Sequence, residues 1–519
     1  MKRLSTVLLV LLVIFATACS KGETPKAAAG SSSSSSASSV TAVKKDTLTV
    51  ALDGEPQQLD PYAHSNQNGI VVSRLVYEPL LRSDLDGNIS PWLATEYKMV
   101  DDVTLSLTLR DDVYFQDGSK MTADDVAYSL ALAAKSSFTS NLFGSIDTDA
   151  FEIIDDCHLI VKLKSPNAAL ISALASHRCA IVSRNYYETA SAEDKSRRPM
   201  GTGPMKFKSW ISGDRIELEA NENYWGEKLA YDHFVARVIV EGSSRAIELE
   251  TGGVDIAFNL PSTEWDRIEN NPKTRLISGN TQGISFVTFC GAIKPYDDYN
   301  VRAGLSYALN RDALVSIGWG GKATVADSYY SSTIIGHKAT DLPSYDPAKA
   351  KEYLAKAGYT DANPLRLVYT TYDSTLNRNF SEAVQSMWDS LGCVKCEIRF
   401  VDLAQFTTLN NAGEIAVSLM TNTAAINDPS SALLAWPISR TISVRHGDQK
   451  VQDYLDAGIS TYDTAERARI YGELQDYLAS KLYTFPIAFP GNAYGCLDVI
   501  DNLPFYPNVI PDLTTITFR

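Results

Sequence analysis

The sequence lacks the short motifs that mark the commonest catalytic sites. None of its six histidines belongs to an H-E-x-x-H helix, which would hold a zinc ion in a metallohydrolase. There is no G-x-S-x-G turn for a serine nucleophile and no G-x-x-x-x-G-K-[ST] loop for nucleotide phosphates. A loose G-x-G-x-x-A match at residues 318–323 follows a helical pattern, so it predicts a loop. Two carboxylates from distant positions can still meet in space, and a hydrolase therefore stays an open alternative.

Cysteine is scarce, and its spacing does not indicate a metal site. Cys393 and Cys396 have the C-x-x-C spacing of redox and zinc motifs, but there is no second pair and no histidine nearby in sequence. We therefore expect no metal and no cofactor. Apart from Cys19, six cysteines remain, an even number that permits disulfides in an oxidising compartment. Buried thiols and structural disulfides are the two interpretations for Cys157, Cys179, Cys290, Cys393, Cys396 and Cys496.

Basic residues are fewer than acidic residues. Lysine and arginine total 47 against 62 aspartates and glutamates, which gives a formal net charge of −15 at pH 7. An acidic surface repels nucleic acid and anionic lipid headgroups, so we expect neither as a partner. The same surface charge keeps an exported protein soluble.

The N-terminal segment has the composition of an export signal followed by a tether. Two basic residues precede a short apolar run and three small residues, a pattern typical of a secretory signal peptide over residues 1–18. The small residue before Cys19 resembles the bacterial lipobox, with Ala16 in place of the commoner leucine, and implies a lipid on Cys19. Residues 19–45 are rich in serine and alanine and predict a flexible coil. We therefore expect an extracytoplasmic lipoprotein anchored to the cell membrane.

The remaining chain predicts a mixed α/β fold with more than one lobe. A single hydrophobic core stops growing near ~250–300 residues, and the chain from residue 46 to residue 519 is longer than that. Alternating apolar residues predict strands at 48–52, 105–109 and 216–220. Helices are predicted from a capping box at Thr122 and Asp125, from Asp346 before Pro347, and from an apolar stripe of Ile470, Leu474, Tyr477 and Leu478.

Short blocks of sequence then follow one another in a characteristic order. They lie at 55–61 (EPQQLDP), 76–81 (VYEPLL), 86–94 (DGNISPWLA), 105–130, 201–207 (GTGPMKF), 221–226 (NENYWG), 301–311 (VRAGLSYALNR), 346–358 and 485–487. Together they resemble the bacterial family 5 solute-binding proteins, the oligopeptide-, dipeptide- and nickel-binding group, over residues 54–490. Locally, residues 201–204 predict a turn whose glycines supply positive φ, and Tyr224 and Trp225 are expected to pack rather than to stack on a ligand.

The resemblance implies a two-lobed clamp of the periplasmic-binding-protein type II class (cluster C) with an additional small domain. Crossovers near Phe289 and Cys496 would act as a hinge that closes on a solute. It further implies a monomeric binding protein, not an enzyme, that delivers its solute to an ABC transporter permease in the membrane. Lobe I would combine 46–90, 200–288 and 498–519, the additional domain II would be 91–199, and lobe III would be 289–497.

The resemblance favours an oligopeptide or dipeptide as the ligand, held through its backbone. In the family's peptide binders an aspartate binds the ligand's α-ammonium; here Ala425 occupies that position, and Asp428 is the nearest substitute. An oligosaccharide, a nickel chelate or another small solute remains the alternative within the family, and a surface adhesin is an alternative outside it. The predicted ligand-contacting residues are Asp428, Asn427, Asn422, Trp436, Tyr62, Asn66 and Phe289.

Overall fold

Strands and helices alternate along the chain, as the sequence predicts. The computed structural model describes residues 45–63, 66–439 and 444–519. The predicted signal peptide, the predicted lipidation site Cys19 and the predicted tether as far as residue 44 lie outside these ranges. Within them, no helix combines the length and the apolar character that crossing a membrane requires.

The described residues form twenty β-strands, and the three predicted strands at 48–52, 105–109 and 216–220 are confirmed as β1, β5 and β9. In chain order the strands are β1 (Thr47–Leu52), β2 (Leu81–Ser83), β3 (Ile89–Pro91), β4 (Ala94–Asp101), β5 (Thr104–Leu109), β6 (Glu152–Ile153), β7 (His158–Lys162), β8 (Met205–Ile211), β9 (Arg215–Ala220), β10 (His233–Val238), β11 (Ile256–Ala257), β12 (Thr274–Asn280), β13 (Gly283–Phe289), β14 (Ala323–Val325), β15 (Leu365–Tyr372), β16 (Val394–Val401), β17 (Val417–Thr423), β18 (Thr484–Leu497), β19 (Ile500–Asp501) and β20 (Thr517–Phe518).

Sixteen α-helices and one short 3₁₀ turn (Leu513–Thr515) lie between these strands in the described part of the chain. The helices are α1 (Gln67–Ser73), α2 (Ala123–Lys135), α3 (Ser140–Phe143), α4 (Leu170–Leu174), α5 (Arg184–Thr189), α6 (Ala192–Arg197), α7 (Gly242–Glu250), α8 (Ser262–Glu269), α9 (Tyr299–Tyr307), α10 (Arg311–Trp319), α11 (Pro347–Lys356), α12 (Thr375–Asp389), α13 (Leu403–Ala412), α14 (Pro429–Ala432), α15 (Gln449–Ser460) and α16 (Thr464–Lys481).

Most strands belong to one large sheet whose two halves share the long strand β18. The strand order is β16-β15-β17-β13-β18-β11-β1-β10-β9-β8, with β12 and β14 also paired to β18. We term the half built on β1 and β8 to β12 the first lobe, and the half built on β13 to β17 the second lobe. A separate four-stranded sheet has the order β4-β5-β7-β6, and β2 pairs with β3 as a small hairpin.

The chain crosses between the lobes at two neighbouring places. β12 pairs with the second half of β18 and β13 with its first half, so one crossing lies at residues 281–282 and the other near residue 490. Both precede the predicted crossovers near Phe289 and Cys496. Phe289 is already paired with β17 inside the second lobe, and Cys496 with β11 inside the first. The boundaries predicted for lobe I, domain II and lobe III stay predictions.

Each lobe has its own hydrophobic core. Phe234 of the first lobe and Phe143 near the four-stranded sheet are fully buried in one continuous core. Trp388 and Phe380 are fully buried in the core of the second lobe. Ile426, in the loop after β17, packs against the first of these cores although β17 belongs to the second lobe. The two lobes are therefore in contact through this loop.

The predicted helix starts are confirmed in atomic detail. At α2, Oδ2 of Asp125 accepts the backbone N–H of Thr122 at 3.0 Å. At α11, Oδ1 of Asp346 accepts the backbone N–H of Lys349 at 2.9 Å, and Pro347 is the first helical residue. These bonds satisfy N–H groups that have no partner within a helix, which is why such residues favour helix starts.

The six cysteines among the described residues are all free thiols. Five are buried and Cys157 is half-buried. Burial raises the pKa of the Cys396 thiol to about 12, which keeps it protonated and unreactive. No cluster of three or more metal-ligating side chains occurs in the described residues. Of the two interpretations of the cysteines, the structure shows thiols.

Gly201 and Gly203 are required for close packing, and the prediction that they supply positive φ is wrong. Neither has a positive φ. A β-carbon on Gly203 would lie 2.6 Å from the carbonyl oxygen of Leu75 and 2.7 Å from the carbonyl carbon of Val76. These are backbone atoms of the segment after α1, so they cannot move aside as the end of a flexible side chain could.

We expect Gly203→Ala to lower the free energy of unfolding by about 1–3 kcal/mol, the usual cost of overpacking. Denaturant unfolding measures this difference. Gly318→Ala is the matched control, because Gly318 lies within α10 and its β-carbon would make a contact no closer than 3.4 Å. The control should be neutral or slightly stabilising, as alanine favours helix. Equal losses in both variants would contradict the packing argument.

Candidate ligand-binding cavity

A cavity lies between the two lobes, beside the crossing segments. Its volume is about 1350 Å³, including its opening to solvent. One wall is formed by the end of α1, the segment after it and the β2–β3 hairpin, and the facing wall by the loop after β17. Small-molecule sites are concave and lined by a few converging polar groups among apolar ones, and this cavity has that form. The lining residues that matter below are Arg74, Glu78, Arg82, Gln282, Asn427 and Asp512.

Glu78 is a buried carboxylate in the cavity wall that holds four side chains together. Its Oε1 accepts the indole N–H of Trp92 at 2.8 Å and the hydroxyl of Tyr224 at 2.7 Å. Its Oε2 accepts the indole N–H of Trp225 at 3.0 Å and the hydroxyl of Thr202 at 2.9 Å. Burial raises the pKa of Glu78, and the four donors offset only part of that effect. The aromatic rings therefore pack against the protein, as predicted for Tyr224 and Trp225.

Two arginines bring positive charge to the same cavity. Arg74 donates to the backbone carbonyl of Ile510 at 2.8 Å and lies 3.7 Å from the Asp512 carboxylate. Burial would raise the pKa of Asp512, but the charges of Arg74 and Arg82 hold it below its usual value. The Arg82 guanidinium lies over the ring of Trp92, 3.3 Å from its centroid, and forms no ion pair with the described residues. Its N–H groups are available to an anionic ligand such as a carboxylate.

The tip of the β2–β3 hairpin is well braced and meets the opposite wall. Asp84 accepts the backbone N–H groups of Asn88 at 2.8 Å and Asp86 at 3.0 Å, which closes the turn. Gly87 has a φ of 85°, a conformation that favours glycine. A β-carbon on Gly87 would lie only 2.7 Å from Nδ2 of Asn427. The hairpin therefore limits where the Asn427 side chain can lie.

Two amide side chains present unpaired carbonyl oxygens in the cavity wall. Oε1 of Gln282 and Oδ1 of Asn427 are buried, and neither has a hydrogen-bond partner among the described residues. Gln282 belongs to the crossing segment at 281–282 and is only 7% exposed. A buried acceptor without a donor costs about 1–3 kcal/mol. Both oxygens therefore favour a ligand that brings N–H groups.

Asn427 is the one predicted ligand-contacting residue that lines this cavity in the described part of the chain. Phe289 and Trp436 are instead buried in the core of the second lobe. Tyr62 is buried in the core of the first lobe and donates its hydroxyl to the backbone carbonyl of Ala180. These three aromatic residues stabilise the lobes.

Two further predicted residues form hydrogen bonds to the backbone. The side chain of Asn66 accepts the backbone N–H of Gly69 at 3.1 Å and caps α1. The side-chain amide of Asn422 donates to the backbone carbonyl of Ala432. Neither lies in the cavity wall as the structure describes it.

Both carboxylate oxygens of Asp428 are occupied within the protein. Arg467 donates to Oδ2 at 2.8 Å and to Oδ1 at 3.1 Å, and the Asp428 side chain is only 2% exposed. Oδ1 also accepts the backbone N–H of Ser430 at 2.9 Å as the N-cap of α14. This geometry does not fit the predicted contact with a ligand ammonium. Asp428 instead fixes the position of the loop that carries Asn427.

Sequence reasoning predicted only Asn427 among these six lining residues and missed Arg74, Glu78, Arg82, Gln282 and Asp512. Arg82 directly follows the block at 76–81, and a basic residue beside that block is the only local signal it gives. Gln282 shows only a weak signal, as a polar residue just before the mainly apolar stretch of β13. Asp512 reaches the cavity only because the C-terminal segment folds back onto α1, which no local pattern predicts.

Solved structures of binding proteins share this fold. One is the protein AgaA of A. tumefaciens R10 in complex with agropinic acid, with 25% identity and a TM-score of 0.77 over 91% of this chain and 99% of that one. Another is the periplasmic binding protein DppA of Helicobacter pylori in complex with the peptide STSA, with 22% identity and a TM-score of 0.77 over 91% and 98%. These likenesses show the two-lobed fold of type II periplasmic binding proteins.

Sequence comparison gives the family. The glutathione-binding protein GsiB of Salmonella typhimurium LT2 is 28% identical over 453 residues, which are 84% of this chain and 88% of GsiB. The family model described as bacterial extracellular solute-binding proteins, family 5 Middle, matches residues 88–442, more than half of the chain. The chain belongs to the family 5 bacterial extracellular solute-binding proteins of ABC importers.

Proposed function

We propose that the protein captures a short peptide in the cavity between its lobes and delivers it to the permease of an ABC transporter. The observation that carries this proposal is the combination of Arg82 with the unpaired oxygens of Gln282 and Asn427. A peptide has a carboxylate for the guanidinium and N–H groups for the two oxygens. The family's role in import supports delivery to a permease. No chemical change of the solute is needed for this function.

The ligands of similar proteins define the alternatives. They include glutathione for GsiB, a peptide for DppA, agropinic acid for AgaA and the complex Ni(L-His)2 for NikA of Staphylococcus aureus. An opine or a nickel chelate is therefore the second proposal for this cavity. A neutral oligosaccharide fits less well, because it offers no anionic group to Arg82.

A thermal-shift panel tests the ligand class. Dipeptides, tripeptides, glutathione, agropinic acid, a nickel–histidine complex and maltotriose would each be added to the purified protein. Because a ligand stabilises the folded state that binds it, the correct class raises the melting temperature in a concentration-dependent manner. Stabilisation by peptides alone supports the proposal. Stabilisation by the opine, the nickel complex or the sugar alone would replace peptide with that class.

We expect Arg82→Ala to weaken the binding of a stabilising peptide by about 10- to 100-fold, since hydrogen bonds to a charged group contribute about 1.5–3 kcal/mol. Isothermal titration calorimetry measures the dissociation constant. Arg399→Ala is the matched control: Arg399 is exposed on β16 and outside the cavity wall. Unchanged affinity in Arg82→Ala would exclude a carboxylate contact at this position.

The position of the protein in the cell is a separate proposal. We propose that Cys19 carries a lipid that anchors a monomeric protein on the extracytoplasmic side of the membrane, a proposal that the signal-like sequence before Cys19 supports. Cys19→Ser should release the protein from the membrane fraction and abolish incorporation of labelled palmitate. Retention of both properties in this variant would contradict lipidation at Cys19.

A further inference from the structure

A second contact joins the second lobe to the four-stranded sheet, apart from the contact at the cavity. The hydroxyl of Tyr462 accepts the backbone N–H of Asn167 at 3.2 Å and donates to the backbone carbonyl of Asp102 at 2.8 Å. The backbone N–H of Ala168 donates to the backbone carbonyl of Ile459 at 2.8 Å. Three hydrogen bonds therefore connect the end of α15 and the turn to α16 with the loops that follow β4 and β7. We term residues 459–462 the α15–α16 turn.

Arg467 links the α15–α16 turn to the cavity wall. Its Nε donates to the backbone carbonyl of Gly458, immediately before the turn, at 2.8 Å. Its two terminal nitrogens hold the carboxylate of Asp428, which directly follows Asn427. One buried guanidinium thus contacts the cavity loop on one side and the end of α15 on the other.

The two helices on either side of the α15–α16 turn pack closely on each other. A β-carbon on Gly458 would lie 2.5 Å from the ring of Tyr471, so α15 packs directly on α16 at this point. Leu455 and Leu474 join the same packed core of the second lobe. The turn is therefore packed as part of the second lobe, and separation of that lobe from the four-stranded sheet would break its three hydrogen bonds.

We propose that the α15–α16 turn is a closure contact that stabilises the closed form of the protein, with Tyr462 as its positioning residue and Arg467 as its connection to the cavity. Tyr462 then sets the affinity for the solute without contacting the solute, because binding requires closure. Which solute occupies the cavity rests on the proposed function, whereas the closure contact does not.

Hydrogen exchange of the Ala168 amide in ligand-free protein tests this proposal. Ligand is first removed by unfolding and refolding, and exchange is resolved to single amides. In Tyr462→Phe the hydroxyl that holds the turn is lost, so we expect the Ala168 amide, whose own acceptor is unchanged, to exchange about tenfold faster. Amides of β13 should keep their wild-type rates, which separates opening of this contact from global unfolding.

Two further variants complete the test. Tyr454→Phe removes a hydroxyl from the same helix, α15, that forms no hydrogen bond with the described residues, and it should leave the Ala168 rate unchanged. Arg467→Lys keeps the positive charge but loses the guanidinium N–H groups that bind Gly458 and both oxygens of Asp428. It should also accelerate exchange of the Ala168 amide. An unchanged Ala168 rate in Tyr462→Phe, or the same acceleration in Tyr454→Phe, would overturn the proposal. Because no ligand is present, failure of the peptide assignment leaves this test unaffected.

Discussion

Replacing Asp428 with alanine is expected to lower the free energy of unfolding by about 3–5 kcal/mol, the cost of leaving one partner of a buried ion pair uncompensated. The pair with Arg467 is bidentate, and the two side chains are 2% and 9% exposed. The variant leaves a guanidinium without its carboxylate in the interior of the protein. It also removes the N-cap of α14. Equilibrium unfolding in urea measures the loss of stability.

Two comparisons make this prediction specific. Asp373→Ala breaks an ion pair with Arg378 whose side chains are 56% and 47% exposed, and it should cost less than about 1 kcal/mol. Asp428→Ala combined with Arg467→Met removes both charges and should recover much of the lost stability. If Asp428→Ala instead kept full stability and lost only ligand binding, Asp428 would be the ligand contact that the sequence predicts.

Glu78→Ala is expected to cost about 3–5 kcal/mol of stability, because it leaves four buried donors without their acceptor and opens a cavity. The donors left without an acceptor are the indole N–H groups of Trp92 and Trp225 and the hydroxyls of Tyr224 and Thr202. Urea unfolding measures the change. Glu96→Ala, at an exposed position of β4, is the control and should have little effect. A small loss in Glu78→Ala would mean that the aromatic cluster holds without the carboxylate.

The Glu78 carboxyl also makes stability depend on pH. Burial raises its pKa above that of the unfolded chain, so the folded protein retains this proton to higher pH than the unfolded chain does. Its contribution to stability is present below the ordinary glutamate pKa and declines as the pH rises through the raised pKa. Glu78→Gln does not titrate. Its stability deficit relative to the wild type should therefore shrink as the pH is raised from the acid range to neutrality, and a growing deficit would reverse the sign of the argument.

Local patterns in the sequence were sufficient for the elements that local interactions decide. The capping box at Thr122 and the Asp346-Pro347 start of α11 depend on bonds within a few residues, and both are confirmed. The role of Gly203 was misassigned, because the atoms that exclude a side chain there belong to a segment far away in sequence. The crossings were placed too late in the chain because strand pairing across β18 decides them.

In the candidate site, too, local sequence predicts some features, whereas contacts between distant residues decide the others. Asn427 of the loop at 425–429 lines the cavity, and its contact with a ligand stays a prediction. The sequence could not show that Asp428 is held by Arg467, since the partner lies on α16. The blocks of sequence that carry Glu78, Trp92 and Thr202 were recognised separately, and only the fold shows that they meet at one carboxylate.

Native mass spectrometry of the folded part of the chain, residues 46–519, purified from cells grown in rich medium, tests the central claim most directly. We predict bound masses that resolve into short peptides on denaturation and that decrease in Arg82→Ala but not in Arg399→Ala. A single non-peptide mass, or protein that carries no ligand and is not stabilised by any peptide of the thermal-shift panel, would contradict the claim that the cavity binds peptides.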